Sequence, residues 1–231
     1  MSSFRSLLWL LTLAAPAATV PAAAQISSNS QNPNPTQGPA AAQTSGHVPD
    51  LLIRNGTILT VTHGVIQNGS VLVHDGKIAQ VGTNIAPPAG ATVIDASGKF
   101  VMPGVIDCHS HLALDNDVNE ATSPITPSMN MLDAFVNTDK GLYHALAGGV
   151  TSLLLLHGSA NMIGGQAVVI KNKFGLSRDQ MLFPNAPRSI KFASGENPKR
   201  VYGSRNQLPS TRMGNFEVQR EALQQAREYM R

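Results

Sequence analysis

The amino-acid sequence predicts an α/β protein in which a short β segment precedes a layer of strands and helices. Two observations carry this prediction. Residues 48–100 hold several short stretches that alternate apolar and polar residues, with closely spaced turn signals between them. From residue 104 onward, apolar strand-like runs instead alternate with segments of helical periodicity. Such an alternation is typical of α/β folds with mostly parallel strands.

Length and composition set the first limits. The chain has 231 residues, of which 42% are hydrophobic, enough for one sizeable core or for a core with a smaller appendage. The net charge is only +3 and no basic stripe is interleaved with aromatic residues, so nucleic acid is not an expected partner. Cys108 is the single cysteine, which excludes an intrachain disulfide and a cysteine-rich zinc site.

Residues 1–24 have the layout of a secretory signal peptide. Arg5 precedes an apolar run from Leu7 to Ala18, and Ala22-Ala23-Ala24 offers a cleavage site. Prolines interrupt the run before it reaches the ~20 apolar residues that a membrane anchor needs. We therefore expect a cleaved signal, export to a periplasm or beyond, and no stable membrane anchor. Residues 25–47 are polar, uncharged and rich in proline, which predicts a disordered linker.

The β segment is predicted over residues 48–103. Its clearest part is a hairpin, in which Val71 and Val73 alternate with polar residues before the two-residue turn Asp75-Gly76. Further short strands on both sides predict a small β-sandwich or β-roll.

The second part is predicted over residues 104–231. We expect strands at 105–111, 150–156, 166–171 and 189–193, a helix over 128–146, and a last helix that Asn215 caps and that runs to Arg231.

The stretch "PGVIDCHSHL" carries the chemistry. Residues two apart on a strand project from the same face, so His109 and His111 are placed to bind one Zn²⁺, each nitrogen at about 2.0–2.1 Å. Two partly exposed histidines at a strand end are the alternative. Cys108, on the opposite face, should pack against the protein.

The surrounding sequence resembles the amidohydrolase superfamily from about Leu51 to the end of the chain. The resemblance lies in the Asp-Gly hairpin, in "GKFVMPGVIDCHSH" from Gly98 to His111, and in "GGVTSLLLL". It is nearest to the imidazolonepropionase-like and prolidase-like branches. The resemblance implies that residues 104–231 form part of a (β/α)8 TIM-type barrel, preceded by the leading segment of a composite β-sandwich.

The implied activity is hydrolysis of carbon–nitrogen bonds, in non-peptide or cyclic amides, by water activated on one or two divalent ions, with zinc expected. The implied substrate is a small amide or a dipeptide-like molecule. A prolidase-like metallopeptidase is one alternative. A non-catalytic exported module, built as half a barrel, is the other.

Further site residues follow from the resemblance. Lys191, in "SIKFASGENPK", resembles the lysine that bridges two metals in binuclear members, and Glu196 is the competing carboxylate. Lys191 as a surface lysine and Glu196 as a solvated partner of Lys199 or Arg200 are the alternatives. His157 ends a strand at the rim of the implied site, where it either contacts substrate or holds a loop.

A complete site of this kind also has two later histidines and a catalytic aspartate on the eighth strand. The sequence has no histidine after His157 and no aspartate after Asp179, so no catalytic residue can be assigned. We expect this chain to be the N-terminal portion of a larger enzyme, incomplete and inactive alone.

Overall fold

The computed structural model describes residues 48–231, so the predicted signal peptide (1–24) and linker (25–47) lie outside the described range. The described part is a mixed α/β fold, as predicted. In chain order its elements are β1 (Leu51–Leu59), β2 (Val65–His74), β3 (Lys77–Gly82), β4 (Thr92–Asp95), β5 (Phe100–Val101), β6 (Val105–Ser110), α1 (Lys140–Ala147), β7 (Val150–Leu155), β8 (Ile163–Gln166), β9 (Val168–Lys171), α2 (Arg178–Met181), β10 (Ile190–Phe192), α3 (Glu196–Gly203) and α4 (Arg212–Tyr229). Over this range no helix has the length and apolar character needed to cross a bilayer.

The first five strands form one sheet in the order β3-β2-β1-β4, with β5 also paired to β1. Strands β1, β2 and β3 are antiparallel neighbours, whereas β4 and β5 run parallel to β1. The predicted hairpin is confirmed, since β2 and β3 pair around Asp75 and Gly76, both at positive φ (48° and 71°). Positive φ at both central residues is what a type I′ hairpin turn requires.

The strands of the second part are not mostly parallel, and that prediction is wrong for the described residues. In the sheet β6-β7-β9, β6 and β7 are parallel, but β9 runs antiparallel to β7, and β8 and β10 form a separate antiparallel pair. Parallel neighbours need a crossover, usually a helix. Helix α1 provides one between β6 and β7, whereas the chain between β7 and β9 contains a strand and no helix, so β9 returns antiparallel.

A compact hydrophobic core joins this sheet to α1 and α2. Its buried members are Ala113, Phe135, Leu142, Leu153, Leu155, Ile170 and Met181. Leu142 comes from α1, Leu153 and Leu155 from β7, and Ile170 from β9. The C-terminal end of β7 lies beside that of β6 because Leu155 pairs with Ser110 and the Leu156 amide donates to the Ser110 carbonyl oxygen (2.9 Å), which determines where the side chains at these strand ends lie.

The helix predicted over residues 128–146 is confined to α1, and the residues before it form turns and isolated bridges. Short polar side chains bind the backbone here and compete with helix formation. Asn130 accepts from the Leu132 amide (3.0 Å), and Asp139 accepts from the Gly141 amide (2.7 Å) and caps α1. Phe135 is nevertheless buried and belongs to the hydrophobic core.

The C-terminal region also differs from the prediction. Helix α4 begins after Thr211, whose side chain accepts from the Gly214 amide, and not at Asn215. Asn215 is fully buried in the first turns of α4 and donates to the carbonyl oxygens of Ser194 (2.9 Å) and Gly195 (3.0 Å). It therefore ties α4 to the segment that follows β10.

Candidate functional site

The two histidines of "CHSH" lie together at the C-terminal end of β6. The ring centroids of His109 and His111 are 5.4 Å apart, with the ring planes at 83°. Both residues are exposed, while Ser110 between them is buried. The alternation of a strand thus places both imidazoles in one region on the surface of the described residues.

The orientation of His111 suits a metal ligand. Its Nδ1 lies 2.8 Å from the carbonyl oxygen of Leu156, at the end of β7. A carbonyl only accepts, so Nδ1 carries the proton and Nε2 retains its lone pair. Metal-binding histidines commonly use this arrangement, in which the second ring nitrogen donates to a backbone carbonyl.

Lys191 reaches the same place from β10. Its Nζ lies 3.3 Å from Nε2 of His109, although the two residues are 82 positions apart. Partial burial lowers the pKa of the Lys191 amine, because desolvation disfavours its charged form. The structure therefore brings together the three residues that the sequence predicted as ligands: His109, His111 and Lys191.

This donor set fits a divalent ion. Nowhere in residues 48–231 do three His, Cys, Asp or Glu side chains cluster closely enough to hold a metal. His109 and His111 lie beside Lys191, and imidazole nitrogens are common zinc ligands. The hydrogen bond that orients His111 supports the fit.

Glu196 and Cys108, which lie near the candidate ligands in the sequence, have different environments. Glu196, the competing carboxylate, lies in the first turn of α3 and contacts Lys199 Nζ at 2.5 Å. Cys108 is exposed, so the prediction that it packs is wrong. Strand β6 lies at the edge of its sheet, and the nearby Ile106 is 70% exposed, so most side chains of β6, though not Ser110, lack covering neighbours among the described residues.

His157 is buried, with only 1% of its surface exposed. Its Nδ1 lies 3.0 Å from the Gly158 carbonyl oxygen, and its Nε2 accepts from the Glu120 amide at 3.1 Å. Both ring nitrogens are thus engaged by the backbone, which fits the alternative of a loop held by the histidine. The contact of His157 with substrate stays a prediction.

Gly164 and Gly165 lie where other protein atoms closely approach their Cα atoms. A Cβ on Gly164 would lie 2.6 Å from Nδ1 of His157, and one on Gly165 would lie 2.8 Å from the Met129 carbonyl oxygen. Real Cβ atoms essentially never approach other atoms so closely. The absence of a side chain at these glycines therefore accommodates the buried ring and the loop that precedes α1.

A cavity of about 340 Å³ lies beside His157. It is lined mainly by the loop between β6 and α1, including Asp117, Glu120 and Met131. The sequence did not mark this loop as part of the site, nor Asn161, whose side chain binds the loop backbone. A single asparagine in "GSANMIGG" forms no recognisable pattern.

Comparison with known proteins identifies the family. The chain is 38% identical over 183 residues to the amidohydrolase tasK of Hapsidospora irregularis, a match that covers 71% of this chain and 19% of that protein. It also superposes on the crystal structure of an amidohydrolase from Thermotoga maritima with a TM-score of 0.71 and 42% identity, over 78% of this chain and 48% of the other. The chain belongs to the amidohydrolase superfamily.

A further relative of this amidohydrolase chain is the dihydroorotase of Trichlorobacter lovleyi, 31% identical over 119 residues, or 52% of this chain and 24% of the relative. No protein-family profile matches the chain. The chain spans between 19% and 48% of the lengths of these three proteins.

Proposed function

We propose that this amidohydrolase chain contributes His109, His111 and Lys191 to a divalent-metal centre that hydrolyses carbon–nitrogen bonds of small cyclic amides. The contact between Lys191 and His109, beside the His111 ring, is the observation that carries the proposal. Relatives named amidohydrolase and dihydroorotase support the substrate class. A bound divalent ion, with zinc expected, would activate water and polarise the scissile carbonyl.

The residues of the chain have distinct tasks in this proposal. His111 is held by the Leu156 carbonyl with Nε2 available, so its ring is oriented before an ion binds. Lys191 is preferred over Glu196 as the bridging ligand, because its amine lies against His109 while Glu196 is engaged by Lys199. A binuclear centre would use this bridge, and a mononuclear centre would rely on the histidines.

The position of Lys191 on β10 also favours a second candidate, a prolidase-like metallopeptidase, since the resemblance places the bridging lysine of that branch on such a strand. The two candidates differ in substrate. Zinc-dependent binding of a hydantoin or dihydropyrimidine ring supports the first, and binding of a proline-containing dipeptide supports the second. Binding is the suitable measurement because it distinguishes the two substrate classes without requiring turnover.

The metal centre can be tested on the 231-residue protein by competition for zinc with a chromophoric chelator. We expect His109→Ala and His111→Ala to weaken zinc binding at least about 100-fold, since loss of even an outer partner costs 10–100-fold. Lys191→Ala should remove a second equivalent of zinc if the centre is binuclear. His144→Ala, which removes an exposed histidine on α1, is the matched control. Unchanged zinc affinity in both histidine variants would exclude the proposed centre.

Export is part of the proposal as well, on the strength of the signal-like residues 1–24. N-terminal sequencing of the protein recovered outside the cytoplasm should begin at Gln25. A protein recovered with Met1 intact would contradict cleavage.

A further inference from the structure

A buried asparagine binds the loop between β6 and α1. Asn161 is fully buried, and its Nδ2 lies 2.5 Å from the Glu120 carbonyl oxygen, 2.9 Å from that of Ser123 and 2.8 Å from Oγ1 of Thr126. Two of these three atoms are carbonyl oxygens, which can only accept, so the amide nitrogen must face them. The two N–H groups of Nδ2 are therefore shared among three acceptors, and the side chain contacts one loop at three points.

The same loop is held from a second side by α3 and the residues after it. The hydroxyl of Tyr202 donates to the Ser123 carbonyl oxygen at 2.7 Å, and the guanidinium of Arg205 donates to that of Ala121 at 2.6 Å. Tyr202 is itself fully buried. Carbonyl groups along residues 120–123 are thus bound by side chains from distant parts of the chain.

The residues after β7 complete the attachment. His157 accepts from the Glu120 amide, and the Gly158 amide donates to the Val118 carbonyl oxygen at 2.6 Å. Leu156, immediately before His157, is the residue whose carbonyl orients His111. The loop is therefore fixed to the same short segment that orients a proposed metal ligand.

We propose that Asn161 is a positioning residue that keeps residues 118–126 in one conformation, as a rigid wall of the cavity beside His157. A loop with so many internal backbone groups bound by buried partners has a high free energy of local opening. It would present a preformed surface to substrate and would not act as a mobile lid. The contribution of this wall to catalysis rests on the function proposed above, whereas its rigidity does not.

Asn172 offers a matched control. It is also buried, and its Nδ2 donates to the carbonyl oxygens of Leu142 (2.8 Å) and Val150 (3.1 Å). In both asparagines Oδ1 has no hydrogen-bond partner in the structure. Asn172→Ala therefore removes a similar set of bonds at the opposite end of β7, away from the loop.

The test is backbone hydrogen exchange on the full 231-residue chain without metal. Asn161→Ala should speed exchange in peptides covering residues 118–126 by about tenfold or more, because the loop loses its buried hydrogen bonds to this side chain and opens more readily. Asn172→Ala should leave these peptides unchanged relative to the rest of the chain. Equal, uniform acceleration in both variants would show a merely structural role and overturn the proposal.

Imidazole ¹⁵N spectra of His157 provide a readout that general destabilisation would not move. In Asn161→Ala the Nε2 resonance should shift as it loses the Glu120 amide, and in Asn172→Ala it should stay in place.

If Asn161→Ala does not fold, Tyr202→Phe removes a single bond to Ser123 and should accelerate exchange in the same peptides by a smaller factor. Exchange in residues 118–126 that is already fast in the unsubstituted chain would refute the rigid wall. Exchange that neither Asn161→Ala nor Tyr202→Phe accelerates would refute it as well. The zinc affinity of His111→Ala decides the proposed function separately.

Discussion

At the scale of single residues, the sequence was informative where the determining contacts are local. The two-residue spacing of His109 and His111 suffices to bring their rings together, because a strand repeats every two residues. The environment of His157 depends on Glu120, 37 positions away in a loop, and no local pattern encodes that pairing. Cys108 was wrongly expected to pack for the same reason, since burial of one face of β6 depends on distant segments.

The first prediction concerns the close contact of Gly164 with His157. Gly164→Ala would place a Cβ 2.6 Å from Nδ1 and 2.9 Å from Cγ of a buried ring whose two nitrogens are held by backbone groups. We expect a loss of about 1–3 kcal/mol in the free energy of unfolding, the usual cost of overpacking a close-packed site. Urea denaturation measures this loss.

Gly82→Ala is the control for that substitution, because a Cβ at Gly82 meets nothing within 4 Å. It should be neutral or slightly stabilising through the reduced entropy of the unfolded chain. Combining Gly164→Ala with His157→Ala should lower the cost of the glycine substitution, as the two sites are in contact. An undiminished cost in the His157→Ala background would mean that the ring is not the source of the clash.

At the scale of elements, the turn Asp75-Gly76 was predicted correctly because its conformation is set by the two residues themselves. The helix over 128–146 was predicted too long. Its apolar residues repeat at helical spacing, but the side chains of Asn130 and Asp139 bind the backbone and so prevent a helix before residue 140. Helix α3 was missed because Pro198 lies near its start, although proline is tolerated in a first helical turn.

The second prediction concerns the start of α4. Thr211 accepts from the Gly214 amide at 3.1 Å and so satisfies one of the amides that a helix N-terminus leaves unpaired. Thr211→Ala should lower the free energy of unfolding by about 0.5–2 kcal/mol, the range for loss of an N-cap. Thr211→Ser retains the hydroxyl and should retain most of the stability in the same urea experiment. Equal losses in the two variants would show that the methyl group, and not the cap, matters.

At the scale of the whole described fold, the candidate ligands belong to two different sheets. His109 lies on β6 and His111 directly follows it, in the sheet β6-β7-β9, whereas Lys191 lies on β10, which pairs with β8. An ion held by all three would link the two sheets across 82 positions of sequence. Because such a site does not exist in the unfolded chain, binding should appear directly as added stability.

The third prediction is therefore a zinc-dependent and pH-dependent thermal transition. Free zinc at 100 times its dissociation constant should add about 2.7 kcal/mol to the free energy of unfolding, which for a domain of this size raises Tm by about 5–10 °C. A histidine nitrogen must be unprotonated to bind zinc, so the zinc increment should be larger at alkaline pH and should decrease as the pH falls. Protons and zinc compete for Nε2, so lowering the pH weakens zinc binding. At the same zinc concentration His111→Ala should show an increment of about 0.4 kcal/mol or less, and an increment equal to that of the unsubstituted chain would place the ion elsewhere.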